Sequence, residues 1–454
     1  MAMQFELTRE YIDQLKDHIA KNDEVATFEM VNHVHPADIA EIYDELSIDE
    51  ARFIHVMIDP EVAADVLVEL EEDDRGRFLK VLPSEAIAEF INKLDSDDAA
   101  DVIGEFSEEK QEEVLSHIED LEQAGDIVDL LNYDEDSAGG LMAKELITVN
   151  ENWNIMTCLK EMRKQAEHID EIYYVYVIDN NDVLKGTLSL KKLLLSAANK
   201  KISNIINTDV ILVKTDTTSE EVANIMDKYD LVALPVVDQL GRLVGRITID
   251  DVVDVIREEA ERDYQLVSGI TQDVESSDSA WILTRARIPR LFIGLFGGII
   301  AALVMGVYEV DLGINPKMAF FIPLIAAMGG NVGVQSSSII VQALASNSMG
   351  FEGIGRKLFK ELGVASINGI ILSSVIFGYN YFVNDSFALT ITVSTALFAV
   401  IVFASMFGTV VPMALNRFKI DPALATGPFI TTVNDIMGLF LYLMIGRAFF
   451  AFFG

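Results

Sequence analysis

The pattern of apolar and polar positions changes character along the 454 residues. Up to about residue 130, apolar residues recur at helical spacing in short stretches. These are broken by HPAD (35–38), DPEV (59–62), LPSE (82–85), LDSDD (94–98) and FSEE (106–109). Asp, Ser or Pro at each break is N-cap or first-turn chemistry. A spacing of roughly a dozen residues predicts short stacked helices, either a small solenoid or an irregular helical bundle. From about residue 138, strand-type runs alternate with amphipathic helices expected at 154–166 and 218–229. Beyond residue 280 come five long apolar runs, at about 288–308, 318–345, 359–383, 387–415 and 423–453. A spanning helix needs ~20 mostly apolar residues, and these runs are rich in the Gly, Ala and Ser that allow close packing in lipid.

The middle segment contains an internal repeat. Val177-Ile-Asp179-Asn-Asn-Asp-Val-Leu184-Lys-Gly186-Thr-Leu188 aligns without gaps on Val236-Val-Asp238-Gln-Leu-Gly-Arg-Leu243-Val-Gly245-Arg-Ile247. The offset that carries position 177 to 236 also carries 188 to 247. Each copy reads as strand, turn, strand and helix, preceded by its own amphipathic helix. The pattern resembles a tandem CBS pair, a module that implies sensing of nucleotides or ions; a merely structural α/β repeat is the alternative. Next, residues 250–263 read as one helix, with Val252, Val253 and Ile256 expected to dock inward and acids on the other faces. Like charges at helical spacing cost stability. A cation between this face and another acidic surface relieves that cost, whereas a solvated charged helix carries it.

Charge divides the chain in the same place. Of 34 basic and 72 acidic residues, residues 281–454 hold 10 and 7, which leaves 24 and 65 for residues 1–280, a balance of -41. A surface this acidic repels phosphates, which argues against nucleic acid and for cations as partners. The single cysteine, Cys158, excludes an intrachain disulfide and fits a reducing compartment. The N-terminal stretch MAMQFELTREYIDQLKDHIA has no apolar core of a signal peptide. Arg285, Arg287 and Arg290, then Arg356, Lys357 and Lys360, then Arg417 and Lys419 share one side of a five-span bundle. The positive-inside rule therefore predicts a cytoplasmic N-terminal region and an outer C-terminus in the plasma membrane. Arg447 is the awkward basic residue at that outer end and is expected to snorkel to the interface.

Two places in the spans carry polar chemistry. The fifth run reads Thr431-Thr432-Val-Asn434-Asp435-Ile-Met-Gly438, with Asp435 well inside the apolar segment. A central Asp costs ~2.5–3.5 kcal/mol on insertion, so it should face the bundle interior or water. Thr431, Asp435, Gly438 and Tyr442 fall on one helical face. The alternative role for Asp435 is to satisfy backbone freed by Pro428. The second run contains Gly329-Gly330-Asn331 before Val-Gly333-Val-Gln335-Ser336-Ser337-Ser338. Irregular backbone here would line a cavity, with carbonyls and the Asn331 amide toward an ion; tight helix packing through small residues is the other reading. All six histidines precede residue 170, so the pore chemistry is oxygen-only and suits a hard, hydrated cation. His33 and His35, beside Pro36, read as a structural turn.

With the order of parts, GGNVGVQSSS (329–338), TTVNDIMG (431–438) and EDSAGGLM (135–142) are similar to the MgtE family of magnesium channels/transporters. The resemblance implies four parts: an acidic all-α N-domain (1–137), an α/β tandem CBS pair (138–258), a connecting plug-type helix (259–280) and a five-helix pore domain (281–454). It implies a homodimer in membrane lipid with the pore at the subunit interface. An enzyme is the least expected class, since the spans carry no nucleophile-base pair and the sequence no phosphate-binding loop. Asp435 would select hydrated Mg2+, with Asn331, Gly329, Gly330, Thr431 and Thr432 around it. Regulatory Mg2+ would bind Asp97, Asp101, Glu220, Asp230, Asp251, Asp254, Glu259 and Asp263, and ATP or another adenine nucleotide the CBS pair. Thr218 and Arg262 depart from the family pattern, which leads one to expect acids there. A carrier of Co2+, Mn2+ or Zn2+, a CBS-regulated solute carrier and a non-transporting sensor are the competing functions.

Overall fold

The computed structural model describes residues 5–166, 169, 172–270, 274, 279–345, 354–383, 386–425 and 427–453, in two compact units, Met1–Arg257 and Glu258–Gly454. The first unit opens with α1 (Arg9–Ala20) and α2 (Glu24–Val31). Then follow α3 (Pro36–Asp44), α4 (Ile48–His55), α5 (Pro60–Glu69), α6 (Glu72–Leu79), α7 (Ser84–Ile91), α8 (Ser96–Gly104) and α9 (Glu108–Leu115). From α3 to α9 the helix starts are evenly spaced, at positions 36, 48, 60, 72, 84, 96 and 108. The solenoid expectation holds, in a strict register. Ile39, Ile42 and Tyr43 are buried; one period on so are Ala51, Ile54 and His55, and a further period on Ala63, Val66 and Leu67. The i, i+3, i+4 stripe makes each short helix amphipathic, and alternate helices pack, α3 on α5, α5 on α7, α7 on α9. Helices this short are marginal alone, so this stacking holds them. Position 75 breaks the stripe with an arginine, and Arg75 is ion-paired with Glu105.

α10 (Leu121–Leu130) packs on α8 and leads into the repeat. Its first copy holds β1 (Ile147–Asn150), α11 (Ile155–Gln165), β2 (Val175–Ile178), β3 (Leu184–Leu188) and α12 (Leu190–Leu195). The second holds β4 (Val213–Lys214), α13 (Ser219–Tyr229), β5 (Ala233–Val237), β6 (Leu243–Thr248) and α14 (Ile249–Ser268). In both sheets the first strand is parallel to the second and the second antiparallel to the third. Val177 pairs with Gly186, and at the equivalent positions of the second copy Val236 pairs with Gly245, each beside a register shift. The gapless alignment thus reproduces the pairing register. One apolar core runs from the N-terminal helices into the second copy through Ala138, Met142, Val222, Met226, Leu234 and Val252. The first copy keeps its own core around Val149, Cys158 and Val177.

α14 corrects one expectation. Val252 and Val255 dock inward, whereas Val253 and Ile256 are exposed. Ile249 packs on the same core, so the inward stripe runs 249, 252, 255. The helix leaves β6 directly, and that junction rotates the stripe by one residue.

The second unit carries α15 (Ala280–Val307), α16 (Glu309–Ile314), a 3-10 turn (Pro316–Phe321), α17 (Ile322–Ala345), α18 (Ile354–Val383), α19 (Phe387–Arg417) and α20 (Pro428–Phe453). Among the described residues five helices are long and apolar enough to cross a membrane. α19 is the central one, packed on α17, α18 and α20. A second expectation fails in α17, which runs unbroken through Gly329-Gly330-Asn331. Its glycines serve close packing instead. A Cβ at Gly408 would lie 2.4 Å from the Gly333 carbonyl oxygen, and one at Gly333 would lie 1.8 Å from Asn434 Nδ2. Without a hydrophobic drive in lipid, such backbone approach is what associates helices. Arg447 donates to Asp311 from Nε at 3.0 Å and Nη2 at 2.7 Å, with its guanidinium over Tyr308 at 4.5 Å. Gly408→Ala should destabilise the bundle by about 2 kcal/mol through overpacking, read as a lower thermal midpoint in detergent; an unchanged midpoint would contradict the contact.

Candidate cation sites

The first site forms where α8 begins. Asp95 is the N-cap of α8, and the Ser96 backbone N–H and Oγ donate to the two oxygens of Glu145 at 3.1 and 2.8 Å. The Lys144 N–H donates to Ser96 Oγ at 2.9 Å, so the linker after α10 clamps this helix start. Asp97, Asp98 and Asp101 follow along α8. Oxygens of Asp95, Asp97 and Glu145 all lie within 4.8 Å of one another. From the other side comes the start of α14, where Thr248 donates its N–H and Oγ1 to Asp251 Oδ2 at 3.1 and 2.7 Å.

These carboxylates disturb one another's ionisation. Asp97 is held well above the usual carboxylate range, first by burial and then by Asp251 and Asp98. Asp98 is pushed up to about 7 by burial and by the charges of Asp251, Asp101, Asp95 and Asp250. Asp251 is raised by burial, with the Thr248 bonds and Arg246 pulling the other way. At 4.8 Å two like charges repel by about 3 kcal/mol at an effective dielectric of ~20. A hydrogen bond returns only about 1 kcal/mol. The Thr248 and Ser96 bonds serve only Asp251 and Glu145, and Asp97 and Asp98 remain repelled by several carboxylates at once; a proton or a cation relieves that. An all-oxygen, all-carboxylate donor set fits a hard divalent ion.

The structure thus brings together Asp97, Asp101 and Asp251 from the expected set, and adds Asp95, Asp98, Asp250 and Glu145. The others stand differently. Asp254 is paired with Arg257 at 3.0 Å. Glu259 accepts from Arg262 Nη1 at 3.0 Å, so the basic residue that departs from the family pattern occupies a carboxylate. Asp263 lies one turn further along α14. Glu220 is in the first turn of α13, whose N-cap is Thr218, and Asp230 is its left-handed C-cap at φ 51°. Both are exposed. Glu145 lies 49 residues from Ser96, a pairing that local periodicity does not report.

The second site lies in the bundle, where α20 packs on α17 and α19. A Cβ at Gly330 would lie 3.0 Å from Thr431 Cγ2 and 3.6 Å from Asp435 Oδ1, so Thr431 and Asp435 front the double glycine, with Gly329 beside it against Val400. Asn331 is exposed. Thr432 faces elsewhere, toward Gly297 of α15. Asn434 turns into Gly333. The stripe closes below Asp435, since Tyr442 is buried and donates to the Met318 carbonyl at 2.9 Å. Sequence reasoning missed Glu361 of α18. It accepts from Ser336 of α17 at 2.8 Å and from Ser405 of α19, and the two hydroxyls are 3.0 Å apart. The signal was the acid at the third run's basic end together with the triple serine.

Comparison with known proteins adds an independent line. A family model described as MgtE, divalent cation transporter, matches residues 322–445, and its intracellular N domain matches 34–136. CBS domain models match 138–199 and 202–258. The magnesium transporter MgtE of Thermus thermophilus is 33% identical over 95% of this chain and 97% of its own. That of Bacillus subtilis is 31% identical over 92% and 93%. A crystal structure of the cytosolic domain of the Mg2+ channel MgtE in complex with ATP is 34% identical, with a TM-score of 0.51, over 54% of this chain and 99% of that one.

The raised carboxyls carry a prediction. Each binds its proton more tightly folded than unfolded, so stability rises as pH falls through about 7 toward the ordinary carboxyl range and is lost as pH rises. In divalent-free buffer the thermal midpoint of the full chain should be higher at pH 6 than at pH 8, and Asp98→Asn should flatten that dependence. A midpoint that falls on acidification would contradict the geometry.

Proposed function

This chain belongs to the MgtE family of divalent cation transporters, and we propose that it imports Mg2+ across the plasma membrane under inhibition by cytoplasmic Mg2+. The observation that carries the gating reading is the crowding of carboxylates where the start of α8 meets the start of α14. At neutral pH that arrangement is costly without a counter-cation, so a divalent ion favours it by differential affinity. Asp97, Asp98, Asp101 and Asp251 would hold the ion. Low cytoplasmic Mg2+ leaves them repelling one another.

α14 is the element that conveys the change. Its first turn carries Asp250 and Asp251, and its C-terminal end stops at Gly269 with φ 95°. A Cβ there would lie 3.1 Å from Pro428 and 3.3 Å from Arg290. Pro428 begins α20, the helix that bears Asp435. Movement of α14 is therefore felt at the start of the pore helix. Residues 1–137, 138–258, 259–280 and 281–454 act in this reading as sensor, regulatory pair, plug and pore.

In the pore, Asp435 supplies charge to a hydrated ion, with Thr431, Gly329, Gly330 and Asn331 beside it and Thr432 bracing α15. Mg2+ gives up its waters reluctantly, so one carboxylate per subunit suits it. The exposure of Asn331 supports a homodimeric pore in lipid, completed by a second copy. The Arg447–Asp311 pair supports an outer C-terminus, at the end opposite Arg285, Arg287 and Arg290 in the N-terminal part of α15. A nucleotide at the CBS pair is supported by the ATP complex of the similar cytosolic domain.

Two outcomes test these assignments. Asp435→Ala should reduce Mg2+ uptake at least tenfold in a Mg2+-auxotrophic host, measured by growth and flux; full uptake would sink the pore assignment. Asp97→Ala with Asp251→Ala should raise the cytoplasmic Mg2+ needed for half-inhibition of flux by about tenfold or more. Inhibition at the wild-type concentration would sink the gating assignment.

A further inference from the structure

We propose that Arg246 is a tethered counter-ion of the acidic junction, a built-in cation that competes with Mg2+ and sets the concentration at which the junction forms; the inference rests on the gating reading above.

Arg246 lies near the end of β6, on the same strand face as Thr248 two residues on. Thr248 holds Asp251. The Arg246 backbone is fixed by a two-way bridge to Ala143, N–H to carbonyl at 2.9 and 2.8 Å. Its side chain is only 8% exposed, within a region that carries a large negative charge. Nη2 lies 3.9 Å from Asp95 Oδ2, and Asp95 shares its space with Asp97 and Glu145. The guanidinium stacks over the Tyr173 ring, 5.3 Å from its centroid. The first CBS copy thus holds a cation of the second against carboxylates of the N-terminal helices.

This is the chemistry of a competitor on a short leash. A guanidinium does not lose its proton at any physiological pH, so its charge is always present. A fixed positive charge beside a cluster of carboxylates lowers the cluster's affinity for a divalent cation. It also limits repulsion while the ion is away, so the two cations answer the same negative charge. Stacking on Tyr173 holds the plane in a way that a lysine ammonium does not reproduce.

The test uses the full-length protein in detergent. Protection of the cytosolic region from limited proteolysis, and the thermal midpoint, are followed during Mg2+ titration. R246Q should lower the half-effective Mg2+ about tenfold, in the range of an ordinary coupling between charged neighbours. R246K, which keeps the charge but not the stacked plane, should fall between R246Q and the wild type. In divalent-free buffer R246Q should melt lower than wild type, and saturating Mg2+ should remove the difference. An unchanged or raised half-effective Mg2+ in R246Q overturns the proposal. So does a stability loss that saturating Mg2+ leaves in place, since that marks a structural brace. Should R246Q not fold, a drop in half-effective Mg2+ for R246K as large as tenfold would equally overturn it. If the wild-type protein shows no Mg2+ dependence at all, the gating reading itself fails, a result distinct from any shift caused at position 246.

Discussion

Where α8 meets the start of α14, Asp95, Asp97, Asp98, Asp101, Asp250 and Asp251 crowd one space with Glu145 and the Arg246 guanidinium. Three elements of the first unit converge on that electrostatic cost. The helix stack brings α8 to it, the linker clamps the start of α8 through Glu145, and β6 delivers Thr248 and Arg246 from the opposite side. A site built from repulsion is poised. In the proposed gating it holds together when protons or cations are abundant and loosens when they are scarce.

The bundle is organised by the opposite economy, in which proximity costs little because side chains have been removed. Gly333 and Gly408 let α17 and α19 approach backbone to backbone, and Gly330 lets Asp435 and Thr431 stand against α17. Two polar groups in this part join helices. Glu361 gathers Ser336 and Ser405, and Tyr442 reaches the Met318 carbonyl. A buried polar group that lacks a partner costs more in such surroundings than in water, so these bonds also fix helix register.

Much of this was legible in the sequence where the signal is local. The breaks at HPAD, DPEV and LPSE coincide with helix starts, and the constant offset between the repeat copies coincides with strand pairing. The apolar runs coincide with the long helices, and Asp435 was identifiable because a carboxylate in such a run is conspicuous. What escaped depends on distant partners. Glu145, Glu361 and Arg246 each look like ordinary charged residues until a residue from another element lies beside them. The inward face of α14 was misjudged because Val252, Val253, Val255 and Ile256 offer two plausible stripes, and only the exit from β6 decides between them. The double glycine in α17 reads equally as a break or as a close contact.

The strict spacing of helix starts from 36 to 108 has a consequence for how this protein can vary. A stack in which each unit touches only near neighbours behaves as a one-dimensional lattice. Because alternate helices pack, the stack returns to the same column only after two helices. A gain or loss of two whole periods inside the array keeps every helix in its own column, whereas a change of one period moves the helices on one side of it to the opposite column. Tolerated changes in the length of this segment should therefore come in steps of two helices rather than continuously.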